Sequence, residues 1–230
     1  MIFDISNIKN SWIPFFKENS VLLHSISDSL TPFVESLCPH VNDVFRVFEL
    51  TELSEVNVLI VGQDPYYNGS ADGLAFSIKH GCKISPSLKN IFKEIVSTEN
   101  YEGISFSGNL NGFASRVMLL NTALTTLHGV AGAHTRLWRK FTDHLIAYIS
   151  RNSRYFVFLA WGRHSHAFCH LVDDRHDIIK TSHPSPLGVT KSGEDFVAFR
   201  GSECFKVANQ YLSVSGFTPI NWGACILHDD

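Results

Sequence analysis

One apolar run constrains this chain more than any other feature, because of how it stops. Val58, Leu59, Ile60 and Val61 follow one another without a polar residue, and the run then breaks at Gly62-Gln63-Asp64-Pro65-Tyr66. A strand with one wet face alternates apolar and polar residues. A run without alternation belongs to a strand buried on both faces, as in a parallel sheet. Sheets of that kind bind ligands beyond the carboxyl ends of their strands. A carboxylate delivered there on a Pro-held loop, ahead of two tyrosines and Gly73-Leu74-Ala75-Phe76-Ser77, reads as a site. Taken alone, the stretch also fits a surface Asp in a Pro turn.

Three further segments repeat the pattern. Residues 116–121 (Arg-Val-Met-Leu-Leu-Asn) end in a polar residue, and residues 155–161 (Tyr-Phe-Val-Phe-Leu-Ala-Trp) end at Gly162. A weaker run over 176–181 ends at Thr181-Ser182-His183-Pro184. Helical spacings lie between them: Leu88, Ile91, Phe92 and Ile95 behind Pro86; Trp138, Phe141, Leu145, Tyr148 and Ile149; a short His-rich helix after Gly162; and a final helix over 202–213. Two or three helices precede these over 11–50, interrupted by Pro14, Pro32 and Pro39. Alternating strands and helices imply an α/β fold, a three-layer α/β/α arrangement with a central four-stranded, mostly parallel sheet. No repeat or linker divides the 230 residues, which read as a single domain over 1–230 with one large core. Parallel strands aim their carboxyl ends at one rim, and that rim collects Asp64, Asn121, Gly162 and His183.

Composition narrows the function classes. A net charge of −3 gives no global basic field, so a nucleic-acid partner would be met by local patches and neutral donors. Five scattered cysteines with no C-x-x-C pair fit a reduced, intracellular setting. The N-terminus lacks a signal-peptide core, and no stretch approaches the roughly 20 apolar residues of a membrane span, so no membrane association is expected. His166 and His170, four apart, have the spacing of a zinc pair, but a solvated helix face also accounts for them; the reading assigns no metal and no cofactor. Phosphate loops and Gly-x-Gly-x-x-Gly are missing, and no Ser or Cys nucleophile has an obvious base beside it.

The rim therefore offers a carboxylate, an imidazole able to donate one hydrogen bond when neutral, and a planar amide that matches the donor–acceptor edge of a nucleobase. Phe76 and Tyr66 add flat faces. Such a set suits breaking a bond to a planar heterocycle without a covalent intermediate. Singly, each residue has a plainer reading: Phe76 as core, His183 as a strand-end cap, Asn121 as the closure of a turn. Leu187 alone says nothing.

As an ordered set, these residues resemble family 1 uracil-DNA glycosylases. The matching segments are Gly62-Gln63-Asp64-Pro65-Tyr66, Gly73-Leu74-Ala75-Phe76-Ser77, Pro86-Ser87-Leu88-Lys89-Asn90-Ile91, Leu119-Leu120-Asn121-Thr122, Trp161-Gly162 and His183-Pro184-Ser185-Pro186-Leu187. Weaker matches are Asp43-Val44-Phe45-Arg46 and Ile220-Asn221-Trp222, so the resemblance spans residues 10–222. It implies a DNA-repair glycosylase that flips uracil out of DNA and hydrolyses its N-glycosidic bond, leaving an abasic site. In that likeness Asp64 orients water and stabilises the sugar cation, and His183 donates to uracil O2. Asn121 pairs with the base edge, Phe76 stacks on the ring, Tyr66 excludes a 5-methyl group, and the Gln63 amide helps hold the pyrimidine. Leu187 wedges into the duplex, Ser87 and Ser185 grip phosphates, and Pro86 and Gly162 belong to the same DNA-binding rim. The likeness further implies a monomer acting on single- or double-stranded DNA, in the nucleus or the host nucleus, with an inhibitor protein and a replication subunit as partners. A glycosylase-like DNA-binding or polymerase-associated scaffold is the alternative. A flavodoxin-like nucleotide binder is a third reading, lacking a phosphate loop.

Several positions depart from the family pattern. Tyr67 stands in place of a His, Arg163 in place of a Ser, and Gly188 in place of a Ser. Ser85 replaces a Pro, a change expected to loosen its loop. The segment after Leu187 is about six residues longer than the common form, around Thr190–Phe199. That length resembles gammaherpesvirus members, and the extension is expected either to add duplex contacts or to be a tolerated surface insertion.

Overall fold

The computed structural model describes residues 1–98 and 106–226. After helices α1 (Ile13–Glu18) and α2 (Ser20–Leu30) come a two-residue strand β1 (Leu37–Cys38) and a short α3 (Arg46–Leu50). The βα repeat then begins: β2 (Val58–Gly62), α4 (Pro86–Thr98), β3 (Val117–Asn121), β4 (Thr126–Leu127), α5 (Thr135–Asn152), β5 (Val157–Trp161), α6 (Arg163–His166), β6 (Asp177–Thr181) and α7 (Cys204–Val214). The main sheet has the order β3-β2-β5-β6. Every pairing in it is parallel, so the expected mostly parallel sheet is wholly so. All residues of β2, β3 and β5 are buried, as runs without alternation require, whereas edge strand β6 is half-buried until Thr181.

Helices cover the sheet. α7 packs on β5 and β6, α3 on β3, and α6 on β2 and β5, which gives the three expected layers. α5 buries Trp138, Phe141, Leu145, Ile146 and Ile149 along one face, while Tyr148, placed on the same stripe by its spacing, is only half-buried. Burying each such side chain contributes about 1.5–3 kcal/mol. Beneath α5 lies an aromatic cluster of Phe3, Trp12, Phe15, Phe16, Phe45 and Phe48, packed mostly edge to face; the Phe16 and Phe45 rings lie 5.0 Å apart at 90°. Trp12 keeps its indole proton satisfied by donating to the Thr51 carbonyl at 2.7 Å.

Strands β1 and β4 form a separate antiparallel pair that no periodicity announces. The extension after Leu187 folds back along β6. Val197 bridges Thr181 in parallel, the Ser182 amide donates to the Val197 carbonyl at 2.8 Å, and Lys180 pairs with Asp195 at 3.1 Å. Phe196 packs on the His166 ring, whose Nε2 sits 2.9 Å from the Thr181 carbonyl and 3.1 Å from that of Ala160. His166 thus faces inward while His170 stays exposed. Among the described residues no group of three or more His, Cys, Asp or Glu is arranged to hold a metal, and no helix is long and apolar enough to cross a membrane.

Candidate active site at the carboxyl rim of the sheet

A cavity of about 190 Å³ opens at the rim and brings together Gln63, Asp64, Tyr66, Phe76, Asn121 and His183, with Ser87 also on its wall. It lies below the roughly 300–1,000 Å³ that houses drug-sized ligands and suits one flat ring. Larger hollows of about 500 and 520 Å³ lie away from the rim: one beside α5, lined by Glu18, Asn19, Asp143, His144 and Arg151 among others, and a mainly apolar one along α4.

The pocket floor has no spare volume. Gly62 and Asn121 face each other at the ends of β2 and β3. A Cβ on Gly62 would fall 2.5 Å from Asn121 Oδ1 and 3.1 Å from Ala75 Cβ. The apolar run must therefore end in Gly for the amide to lie over it. Phe76 has a left-handed backbone, φ 65°, a conformation that costs a non-Gly residue of order 1–3 kcal/mol. A buried network holds it there. Asp72 accepts from the Leu74 amide (3.2 Å), the Ser77 hydroxyl (2.6 Å) and Asn109 Nδ2 (3.0 Å), and Ser77 Oγ in turn accepts from the Leu110 amide at 2.9 Å. Burial pushes the Asp72 carboxyl above its ordinary value, against the pull of the Ser77 and Leu74 bonds and the Arg46 charge. Gly73, at φ 98°, presses on the Asp43 carbonyl, where a Cβ would sit at 2.1 Å; this is how the Asp43–Arg46 segment supports the site from behind.

Asp64 leaves the end of β2 and is pinned through Oδ2, which accepts from the Gly132 amide at 2.5 Å. The turn before it is tied down twice at the Gln63 carbonyl, by the Ala123 amide (2.9 Å) and the Thr122 hydroxyl (2.8 Å). With its proton given to Gln63, Thr122 Oγ1 is left to accept from His164 Nε2, 2.5 Å away. Burial and Arg139 lower the His164 pKa, while Asp64 opposes them.

His183 follows β6. Its Nδ1 accepts from the Ser185 amide at 3.0 Å, which puts the imidazole proton on Nε2. Burial, with a smaller contribution from His164, lowers its pKa from the ordinary value, so the ring is a neutral Nε2–H donor at neutral pH. Its ring lies 5.9 Å from that of Phe76. Gly162, at φ 86°, backs directly onto His183, whose Cβ a side chain there would meet at 2.9 Å.

Tyr66 is fixed at its hydroxyl, which donates to the Phe76 carbonyl at 3.2 Å and lies 2.7 Å from Ser85 Oγ. The Ser in place of Pro does not leave the loop unanchored. Ser85 Oγ also accepts from the Leu88 amide at 3.1 Å, the bond of an N-cap, with Pro86 opening α4 behind it. Asn90, one turn on, donates to the Pro184 carbonyl at 2.8 Å and ties α4 to the His183 segment.

Of the remaining expected residues only Ser87 lines the cavity. Pro86 and Ser87 start α4, Gly162 lies behind His183, Ser185 supports the imidazole, and Leu187 projects into solvent, 83% exposed. The sequence reading missed Gly132, Asp72, Thr122 and His164. Only the glycines at 129 and 132, ahead of α5, gave any signal of a loop passing close to the site.

Comparison with known proteins shows the family. The profile of the Uracil DNA glycosylase superfamily matches residues 48–213. The chain belongs to the uracil-DNA glycosylase superfamily. Members are hydrolases of N-glycosyl bonds that act in base excision repair. Uracil-DNA glycosylase of Neisseria gonorrhoeae is 38% identical over 215 residues, covering 91% of this chain and 93% of that protein. The Escherichia coli uracil-DNA glycosylase is 41% identical over 191 residues, covering 81% of each. Among solved structures, mimivirus uracil-DNA glycosylase superposes with a TM-score of 0.87 at 27% identity over 96% of this chain and 87% of that one. A Y322L form of the mimivirus enzyme, solved in complex with UGI, superposes equally well over 89% of its length.

Proposed function

We propose that this cavity receives a uracil flipped from DNA and hydrolyses its N-glycosidic bond, with Asp64 and His183 as the catalytic pair. One observation carries the assignment. Two groups of opposite character reach a small pocket from different strands, each with one atom already committed: Asp64 Oδ2 to the Gly132 amide and His183 Nδ1 to the Ser185 amide. The free atoms are then Asp64 Oδ1, for the attacking water and the sugar cation, and His183 Nε2–H, for the uracil O2 on which negative charge collects. Fixed charge and fixed donor, set before the reaction, are electrostatic preorganisation. A neutral imidazole serves better than imidazolium here, since a cation would have to be desolvated beside a neutral base.

Asn121 reads the N3–H and O4 edge with its amide, Phe76 stacks on the ring, the Gln63 backbone assists, and Tyr66 occupies the space of a 5-methyl group. Ser87 on the pocket wall, with Pro86, Gly162 and Ser185 beyond it, forms the phosphate-facing rim. Leu187 fills the gap left by the extruded nucleotide, offsetting part of a flipping cost of a few kcal/mol. The substrate is uracil-containing DNA, single- or double-stranded. The same face is proposed to accept an inhibitor such as UGI, the partner of the mimivirus enzyme. Action as a monomer in the nucleus, beside a replication subunit, belongs to the same reading.

Single-turnover excision from a single-uracil oligonucleotide in EDTA tests the assignment. Asp64→Asn should lower the rate by about 10²–10³. Loss of less than about tenfold would remove Asp64 from the chemistry, and activity requiring added metal would overturn the mechanism.

A further inference from the structure

Among the departures from the family pattern, Ser85 bonds a pocket residue through its side chain. Its oxygen joins three elements: the Tyr66 hydroxyl at 2.7 Å, the Leu88 amide in the first turn of α4 at 3.1 Å, and, through Tyr66, the Phe76 carbonyl at 3.2 Å. Proton counting assigns the directions. The Leu88 amide can only donate and the Phe76 carbonyl can only accept. Tyr66 therefore gives its proton to Phe76, and Ser85 gives its own to the Tyr66 oxygen. Burial raises the Tyr66 pKa, and the Ser85 bond opposes the rise. A Pro at position 85 has no hydroxyl with which to form the bonds to Tyr66 and Leu88.

We propose that Ser85 is a positioning residue for base selectivity. It holds the Tyr66 ring against the 5-position of the base and couples that barrier to the Pro86–Ser87 end of α4. The proposal rests on the reading of Tyr66 as the 5-methyl barrier. Without the bond, the ring keeps only its longer contact to the Phe76 carbonyl and gains freedom to swing away from a 5-substituent. Uracil, lacking such a group, is affected less.

The test compares release of uracil, 5-fluorouracil, 5-bromouracil and thymine from otherwise identical single-stranded oligonucleotides. Wild type, Ser85→Ala, Ser85→Thr, Tyr66→Phe, Tyr66→Ala and the Ser85→Ala/Tyr66→Phe double variant are assayed, each with its Tm. Ser85→Ala should raise kcat/KM for 5-bromouracil relative to uracil about three- to tenfold, the worth of one hydrogen bond. The small 5-fluoro group should be handled as uracil is. Ser85→Thr should restore wild-type selectivity, and Ser85→Ala should add nothing once Tyr66 is Phe. A fall in Tm with unchanged selectivity would overturn the proposal and leave Ser85 a helix cap only. An equal effect of Ser85→Ala in the Tyr66→Phe background would overturn it too, since the influence would then bypass the phenol. Tyr66→Ala separates the two levels: if it fails to admit 5-bromouracil or thymine, the barrier reading of Tyr66 falls first.

Discussion

The pocket floor and the Leu187 segment share a rim but are built on opposite terms. At the floor, Gly62, Asn121, Ala75 and Phe76 lie so close that one added methyl group meets Asn121 Oδ1 at 2.5 Å. Leu187 is 83% exposed and touches solvent on most sides. In the proposed reading the floor must be complementary before substrate arrives, because it would read a rigid ring by shape and by one amide. The proposed wedge would act on a partner that is itself deformed, so its environment would be completed only by DNA. Rigidity is concentrated at the floor, and the extra length lies in the segment after Leu187.

Substitutions can break or sharpen this contrast. The largest effect should come from Gly62→Ala, where the added Cβ must displace Asn121 or Phe76; uracil excision should fall at least about tenfold, alongside the roughly 1–3 kcal/mol cost of overpacking. Full activity with an intact Tm would show that the floor has slack after all. Leu187→Ala should act on the other side of the contrast. Excision from duplex DNA should drop by about ten- to a hundredfold, the worth of burying one leucine, while excision from single strands changes less. Equal losses on both substrates would remove the wedge role.

A smaller effect, on the pocket side, is the pH response of His183. Its folded pKa lies below the ordinary 6.5, so as pH falls the unfolded chain takes up the proton first. Stability tied to this ring is complete above about 6.5 and declines as pH falls below that value. The neutral donor itself survives below 6.5, so the His183-dependent acid limb of kcat/KM should have its midpoint below 6.5. A midpoint at or above 6.5 would contradict a buried neutral imidazole. The smallest effect should follow deletion of residues 190–195. It removes the Lys180–Asp195 pair at the β6 edge and should lower Tm slightly while leaving abasic-DNA affinity nearly unchanged. A marked loss of DNA affinity would assign the extension to the duplex after all.

Much of this arrangement was legible in the residues. Three unbroken apolar runs located β2, β3 and β5 to within about two residues, because a strand covered on both faces cannot alternate, and a weaker run located the half-buried edge strand β6. Asp64, Asn121 and His183 stood out because each follows such a run directly. What stayed hidden depends on residues distant in sequence. The Gly132 amide on Asp64 spans 68 positions, and the Asn109–Asp72 bond spans 37. No local pattern encodes either pairing. The role of Ser85 stayed hidden for a different reason: replacing Pro suggests a looser backbone, and only the structure shows what its hydroxyl reaches. The pair β1–β4 is two residues long, too short for any period to register.

The stitching of the sheet's two borders has a further consequence, for how these molecules behave in a crowd. On one border the Leu119 carbonyl takes the Ala75 amide at 3.1 Å; on the other, Thr181 and Ser182 are engaged by Val197. Open sheet edges are templates on which neighbouring chains polymerise. Here the loop that carries Phe76 closes the ladder on one border and the extension after Leu187 closes it on the other, so both guard the chain against fibrillar self-association at that end.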